Sequence, residues 1–308
     1  MRSALLSCES VRIDFDGAAL LDGLSCSSSA DRLGLVGDWS PLFRVLGSQA
    51  VVSAGRLFVH GAAAGEAVQQ GSVGLAVCDP PLPPDLRAAE YLAASASLLG
   101  LGRADARRAA SGVLERLGLT SLAPRKLAQL GVPERRALLL LHAMLGEPPV
   151  LALETPLAGL DDAAGAWLLE LVFRAAFEKR LIVSVANAAP SGPERALLDR
   201  AAELMVLGAG SLLRQGPPAE ALAPARRVLV TVLRRAPALA QRLSEDGAVV
   251  HVTQASGVLA RFPREGLADL GEAARLLVEL PEGGAADLVL AAALATEAPI
   301  VELVPHAS

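Results

Sequence analysis

Two places in the chain hold residues whose types and spacing could act on a phosphate. The first is Val150–Asp161, VLALETPLAGLD. Val150 to Leu153 form a short apolar run, the pattern of a strand buried on both faces. Glu154 and Thr155 follow at its carboxyl end. Ligands of open α/β sheets bind just beyond the carboxyl ends of strands, and a carboxylate there can hold Mg²⁺ against phosphate oxygens. Pro156 then ends the strand, and Ala158-Gly159-Leu160-Asp161 makes a turn before a helical run from Ala163. The second place is the junction after Leu33–Gly37, LGLVG, a buried strand ending in glycine. Leu42–Leu46 begins a helix there, with Pro41 near its first turn, where proline is tolerated. A phosphate cradle at such a junction needs G-x-x-x-x-G-K-[ST]. Its backbone N–H groups hold phosphates, the lysine reaches the outer ones, and the hydroxyl meets Mg²⁺. This chain offers Gly37-Asp38-Trp39-Ser40-Pro41-Leu42. Ser40 supplies the one hydroxyl, Asp38 brings negative charge, and Trp39 cannot let a ligand approach its backbone as glycine can. Taken alone, the junction reads as an ordinary strand–turn–helix unit.

The elements that must position these residues follow from periodicity. Leu5–Phe15 alternates in part and reads as an edge strand, Asp16-Gly17 is a turn signal, and Ala19–Ser25 is the next strand. Ser53-Ala54-Gly55 reads as a turn before strand Arg56–Val59. Val73–Val77 is a strand that delivers Cys78, and Asp79–Pro84, DPPLPP, is a rigid extended loop. Ala88–Leu101 and Ala104–Leu117 read as helices, the second stopped by Gly118. Trp167–Phe177 is an amphipathic helix with Lys179-Arg180 at its end, and Leu181–Val185 is another buried strand. Glu203–Leu207 and Ser211–Gln215 pair around Gly208-Ala209-Gly210.

The series resembles the ATP-binding subunit of ABC transporters, from about Leu5 to Leu222. Val150–Asp161 matches the Walker B segment and D-loop, with Glu154 where the family has Asp and Thr155 where it has the catalytic Glu. The phosphate loop is four residues shorter than the family's and lacks its lysine, inner glycines and Ser-Thr pair. Cys78 stands at the Q-loop Gln, and Leu130–Glu134, LGVPE, at the signature Leu-Ser-Gly-Gly-Gln. The register there is fixed by Arg135-Arg136 and the run to Gly146-Glu147-Pro148-Pro149. Ala186 and Asn187 stand at the switch His, while Phe15 keeps the aromatic that relatives stack on adenine. The resemblance implies an α/β fold: a P-loop NTPase-like domain with a mixed sheet over residues 1–222 and a helical subdomain over about 80–148. Its partners would be an integral membrane permease and a second ABC ATPase subunit or another copy of the chain. Cys78, Asp79 and Pro80 would face the permease, and Asp161 would lie at the dimer interface. The vestigial nucleotide site would comprise Phe15, Gly37, Ser40 and Glu154, with no catalytic residue and no metal ligand assigned. Phosphoryl transfer rests on positioned charge and metal, so the replaced residues imply a non-catalytic subunit. It requires no cofactor and keeps at most weak binding of ATP or ADP. Two alternatives stay open: a working ATPase with an unusual phosphate loop, and a soluble scaffold or sensor derived from the same fold.

Beyond Leu222, a Pro- and Ala-rich stretch marks a boundary, and residues 223–308 read as a small α+β domain. Its expected order is strand Arg226–Leu233, helix Pro237–Glu245, strands Ala248–Thr253, Val258–Phe262 and Ala274–Leu280, helix Ala285–Ala295 and strand Ile300–Val304. That order is consistent with a ferredoxin-like domain. A comparable appendage follows the ATPase domain in many ABC-2-type exporters.

Bulk composition agrees with this reading. Of 308 residues, 52% are hydrophobic and 3% aromatic, so the core must be Leu, Val and Ala. A formal charge of −5 gives no electrostatic case for nucleic acid. Cys8, Cys26 and Cys78 have no metal-ligand spacing and suit reduced thiols in a cytosol. His60, His142, His251 and His306 are far apart and are read as structural. No signal peptide and no apolar run of membrane-spanning length is seen. The expected location is cytoplasmic, peripheral to the inner face of the membrane through a partner.

Overall fold

Alternating residues at the start of the chain fold back on themselves as a hairpin of β1 (Leu6–Phe15) and β2 (Ala18–Ser28). In the computed structural model, residues 3–16, 18–208, 210–223, 227–253, 274–281 and 286–305 are described. They divide into two units, Met1–Leu222 and Ala223–Ser308. The first unit continues with β3 (Arg32–Val36), α1 (Ser40–Leu46), β4 (Val51–Val59), β5 (Ala62–Ala63), α2 (Ala64–Ala67) and β6 (Val73–Ala76). Then come α3 (Ala88–Leu98), α4 (Arg103–Leu117) and α5 (Val132–Ala143), an all-helical segment ahead of β7 (Val150–Leu153). The unit closes with α6 (Asp162–Ala175), β8 (Arg180–Val185), α7 (Pro193–Asp199), β9 (Glu203–Gly208), β10 (Ser211–Gly216) and α8 (Pro218–Ala221).

Two sheets result. One is antiparallel, in the order β2-β1-β4-β5; the other has six strands in the order β10-β9-β3-β8-β7-β6. In the larger sheet β6, β7, β8, β3 and β9 run parallel, and β10 returns antiparallel at the edge. The parallel strands are apolar throughout because both faces are covered. Along β7, Val150 and Ala152 enter a core shared with the antiparallel sheet and α1, while Leu151 and Leu153 enter a second core built with α3 to α7.

The structure corrects the expectation that the first strand is an edge: β1 lies between β2 and β4. The reason is at Ser53-Ala54-Gly55, where no turn forms. Gly55 adopts φ +77, and a Cβ there would lie 2.3 Å from the carbonyl oxygens of both Glu9 and Ser10. Glycine's freedom in the left-handed region lets β4 pass close against the irregular stretch of β1 at Ser10–Val11 and continue as one long strand, which then covers the side of β1 read as free.

The second unit holds β11 (Arg227–Val232), α9 (Ala236–Glu245), β12 (Val249–Thr253), β13 (Ala274–Glu279), α10 (Ala286–Thr296) and β14 (Ile300–Pro305). Its strands form an antiparallel sheet in the order β12-β13-β11-β14. This is the ferredoxin-like βαββαβ arrangement. Val228, Val230, Leu276 and Val278 pack with Leu239, Leu243 and Val289 of the two helices in a core of their own. The strand expected at Val258–Phe262, together with His306, lies outside the described residues.

Candidate functional site

At the carboxyl end of β3 the chain makes a short junction and enters α1. Gly37 sits at φ +103, and a Cβ there would fall 2.3 Å from the carbonyl oxygen of Leu207. Its N–H donates to the Val185 carbonyl at 3.0 Å. Glycine is therefore required at 37 by close approach to β9. Trp39 is 1% exposed, and its indole N–H donates to the Val36 carbonyl at 3.2 Å. The ring fills the core beneath the junction, so the tryptophan takes part in packing.

Asp38 accounts for the hydroxyl. Its Oδ1 accepts from the Ser40 backbone N–H at 3.1 Å and from the Ser40 hydroxyl at 2.6 Å. The N-terminal turn of a helix offers unpaired N–H groups and attracts negative charge. Here that attraction is met by a carboxylate of the protein itself. The same device recurs at α5. The Gly131 N–H donates to Glu134 Oε2 at 2.9 Å, and Arg125 pairs with the other oxygen of Glu134. Burial pushes the Glu134 carboxyl up, but the bonds from Arg125 and Gly131 outweigh it and hold it below the usual carboxylate range.

Glu154 lies at the end of β7, tied to both neighbouring segments. Its own N–H donates to the Ala76 carbonyl at 2.8 Å, and its Oε2 accepts from the Cys78 N–H at 2.8 Å. Burial raises its proton affinity. The Cys78 bond and the guanidinium groups of Arg44 and Arg136 oppose that rise, and the charge of Asp38 adds to it. Asp38, at the β3–α1 junction, is thus near enough for its charge to act on Glu154. Thr155, next in line, takes φ +37, uncommon for a β-branched residue, and its N–H donates to Ser184 Oγ at 3.0 Å.

The remaining expected residues are distributed as follows. Phe15, at the end of β1, has the Arg44 guanidinium over its ring at 4.5 Å. Cys78 and Asp79 are held from inside by Arg136, whose Nη1 reaches Cys78 Sγ at 3.2 Å and whose Nη2 reaches Asp79 Oδ2 at 3.0 Å. Pro80 lines a groove of about 600 Å³ with Tyr91, Leu98, Leu99 and His142. The His142 ring stacks on Tyr91 at 5.6 Å between centroids. Asp161 stands apart from the crevice as the N-cap of α6, its Oδ1 accepting from the Ala164 N–H at 2.8 Å.

Two residues were missed from sequence, Arg44 and Arg136. Arg136 is 6% exposed although its helix neighbours read as a simple basic pair before an apolar run. A signal existed: Ala137 to Leu141 are all buried, so a residue one position earlier has little room to reach water. The lysines of the chain are Lys126 and Lys179, and the Lys179 ammonium donates to the Pro148 carbonyl at 2.6 Å. Neither belongs to the β3–α1 junction. Among the described residues no cluster of three or more metal-ligating side chains occurs, and no helix is long and apolar enough to cross a membrane.

No protein-family profile matches the chain. Among curated proteins, the molybdenum import ATP-binding protein ModC of Mycobacterium tuberculosis is 32% identical over 161 residues, 50% of this chain and 42% of that protein. The Fe(3+) ions import ATP-binding protein FbpC of Streptomyces coelicolor is 28% identical over 226 residues, 71% of this chain and 64% of that protein. The chain therefore spans less than two thirds of either relative. Both are named as import ATP-binding proteins. A nucleotide-free ATP-binding cassette from an ABC transporter superposes with a TM-score of 0.59 at 16% identity, covering 70% of this chain and 92% of that one. An ATP-binding cassette in its ADP conformation gives 0.58 at 16% identity, covering 71% and 93%. CbiO1 of Clostridium perfringens, part of an ABC transporter complex, gives 0.57 at 20% identity, covering 71% and 91%. The chain thus has the fold of ABC-transporter ATP-binding cassettes, and part of its sequence is similar to that of import ATP-binding proteins.

Proposed function

We propose that this protein is an ABC-transporter ATP-binding-type subunit that does not hydrolyse ATP. It acts by docking, on a membrane permease and on a second nucleotide-binding subunit or another copy of itself. Its place would then be the cytoplasmic face of a membrane, through the permease. The observation that carries the reading is the Asp38 carboxylate bonded to the N–H and hydroxyl of Ser40. An anion of the protein stands at the turn where a triphosphate would need donors, and no lysine stands beside it. These residues do not fit a Mg²⁺–triphosphate, and no hydrolytic step is assigned. Losing one donor of this kind typically costs about 2.7–4 kcal/mol of barrier, and here several are absent. The curated relatives are named as ATP-binding proteins, which sets the baseline from which this chain departs.

Docking is supported by the groove beside Pro80 and α3, and by the anchoring of the Cys78–Asp79 segment on Arg136. A loop pinned to the crevice at one end and bordering the groove at the other would transmit mechanical load without nucleotide chemistry. The second reading, an active ATPase, draws on one feature: Glu154 is an acid at the end of the strand next to the phosphate junction. An ATP titration with Mg²⁺ and a turnover assay on the purified chain decide between them. The proposed role predicts no saturable micromolar binding and no turnover above background. Mg²⁺-dependent hydrolysis that disappears in Glu154→Ala overturns it. Co-purification in mild detergent tests the docking, and absence of any membrane protein from the isolated complex would refute that part.

A further inference from the structure

Cys8 and Cys26 are distant in sequence but directly opposite each other in the β1–β2 ladder. A plain two-residue hairpin at Asp16-Gly17 would set Cys8 opposite Ser25. Register slips between Ile13 and Asp14, Val11 and Ile13, and Cys8 and Val11 move it to Cys26 instead. Residues directly opposite in an antiparallel pair share a face of the sheet, with Cα atoms about 4.5–5.5 Å apart. A disulfide needs about 4.4–6.8 Å. Both side chains turn toward the same core: Cys8 is buried in it, and Cys26 packs against its rim, partly open to solvent. Both are free thiols.

We propose that Cys8 and Cys26 form an oxidative modification site, closing reversibly to a cross-strand disulfide by exchange with a small-molecule disulfide. The two sulfurs have unequal roles set by position. Cys26, at the rim, is the attacking group. Cys8 is buried and closed to a reagent in solution, and burial pushes its thiol up, whereas Cys26 is partly open to solvent and can be reached. The Cys26 thiolate attacks one sulfur of the reagent, R–S–S–R, forms a mixed disulfide and expels one thiolate. The Cys8 thiol then gives its proton to solvent, and its sulfur attacks Cys26 Sγ and expels the second thiolate. Two protein thiols are oxidised, one disulfide is reduced to two thiols, and no other oxidant is needed. Cys78, bonded to Arg136 elsewhere in the unit, takes no part.

The test uses the full chain and oxidised glutathione, with remaining thiols alkylated before digestion. Trypsin cuts after Arg2, Arg12 and Arg32, so Cys8 and Cys26 fall in separate peptides, 3–12 and 13–32. The expected product is these two peptides joined, separable by dithiothreitol, with Cys78 alkylated and the Cys78→Ser variant reacting identically. Cys8→Ser should accumulate the glutathione adduct on Cys26, and Cys26→Ser should leave Cys8 unmodified. Glutathione retained on Cys26 of the wild-type chain with Cys8 alkylated overturns the proposal. So does a linkage that includes Cys78, or no reaction at any cysteine.

Discussion

Replacing Asp38 by alanine removes the anion that the protein keeps at the start of α1. Two bonds are lost, from the Ser40 N–H at 3.1 Å and the Ser40 hydroxyl at 2.6 Å. Losing a hydrogen bond typically costs about 0.5–1.5 kcal/mol, and removing a negative charge close to a helix N-terminus costs about 0.3–1 kcal/mol. Asp38 also disfavours the charged form of Glu154, so its loss returns a small part of this. The net expectation is a loss of about 1 kcal/mol. For a domain of this size that corresponds to a fall in Tm of about 2–4 °C. The amide oxygen of asparagine can accept the same two bonds, so Asp38→Asn should lose only the charge contribution, about 0.3–1 kcal/mol. Urea denaturation followed by circular dichroism reads both variants, with the midpoint expected to move and the slope to stay constant. Neither variant should gain ATP affinity, because removing a carboxylate creates no lysine and no row of glycine N–H groups. If the alanine variant is as stable as wild type, or the asparagine variant falls further than the alanine one, the bonds to Ser40 do not stabilise the junction. If the alanine variant binds Mg²⁺–ATP at micromolar concentration, the crevice was only masked by charge and the docking-only role fails.

Three further outcomes follow from residues described above. Asp161→Ala should cost about 1 kcal/mol through loss of the bond to the Ala164 N–H, and Asp161→Asn should recover most of it in the same urea titration. Glu154→Gln should raise Tm at neutral pH. The folded-state carboxyl is held above its ordinary value chiefly by burial, so its charged form disfavours the folded state at high pH. The gain should shrink as pH falls through the folded pKa and vanish below the ordinary carboxylate value; a Tm difference that grows on acidification would contradict this. Gly74→Ala places a Cβ 1.8 Å from the Ala143 carbonyl oxygen and 2.7 Å from Pro148 Cγ. Backbone cannot yield there as a side chain can, so a loss of about 3 kcal/mol is expected, and a midpoint within error of wild type would refute the close approach of β6 to α5.

Legibility from sequence followed the physics of each element. Val150–Leu153 was readable because a strand buried on both faces must be apolar at every position, and its bounds match the observed strand. The helical segment and the closing β9–β10 pair were readable from periodicity and glycine positions. β4 was not, because Gly55 carries the same local signal whether it makes a turn or continues a strand, and only contact with β1 decides. Glu154 and Gly37 were singled out from their places at strand ends, and the structure puts both at such ends. Arg44 was missed because its role depends on a ring from another sheet, that of Phe15. Asp38 stands out in the sequence for its charge, but its bond to Ser40 depends on how the turn folds. The facing of Cys8 by Cys26 hides behind register slips that no spacing reveals.

The tryptophan sealed under the β3–α1 junction gives this crevice its own optical gauge. Trp39 is 1% exposed, and the other tryptophan of the chain, Trp167 on α6, is 39% exposed. An aqueous quencher such as iodide should extinguish Trp167 emission first and leave a blue-shifted signal from beneath the junction. Any guest that pries the junction open would redden that residual emission without a label, and a guest that merely rests on the surface would leave it unchanged.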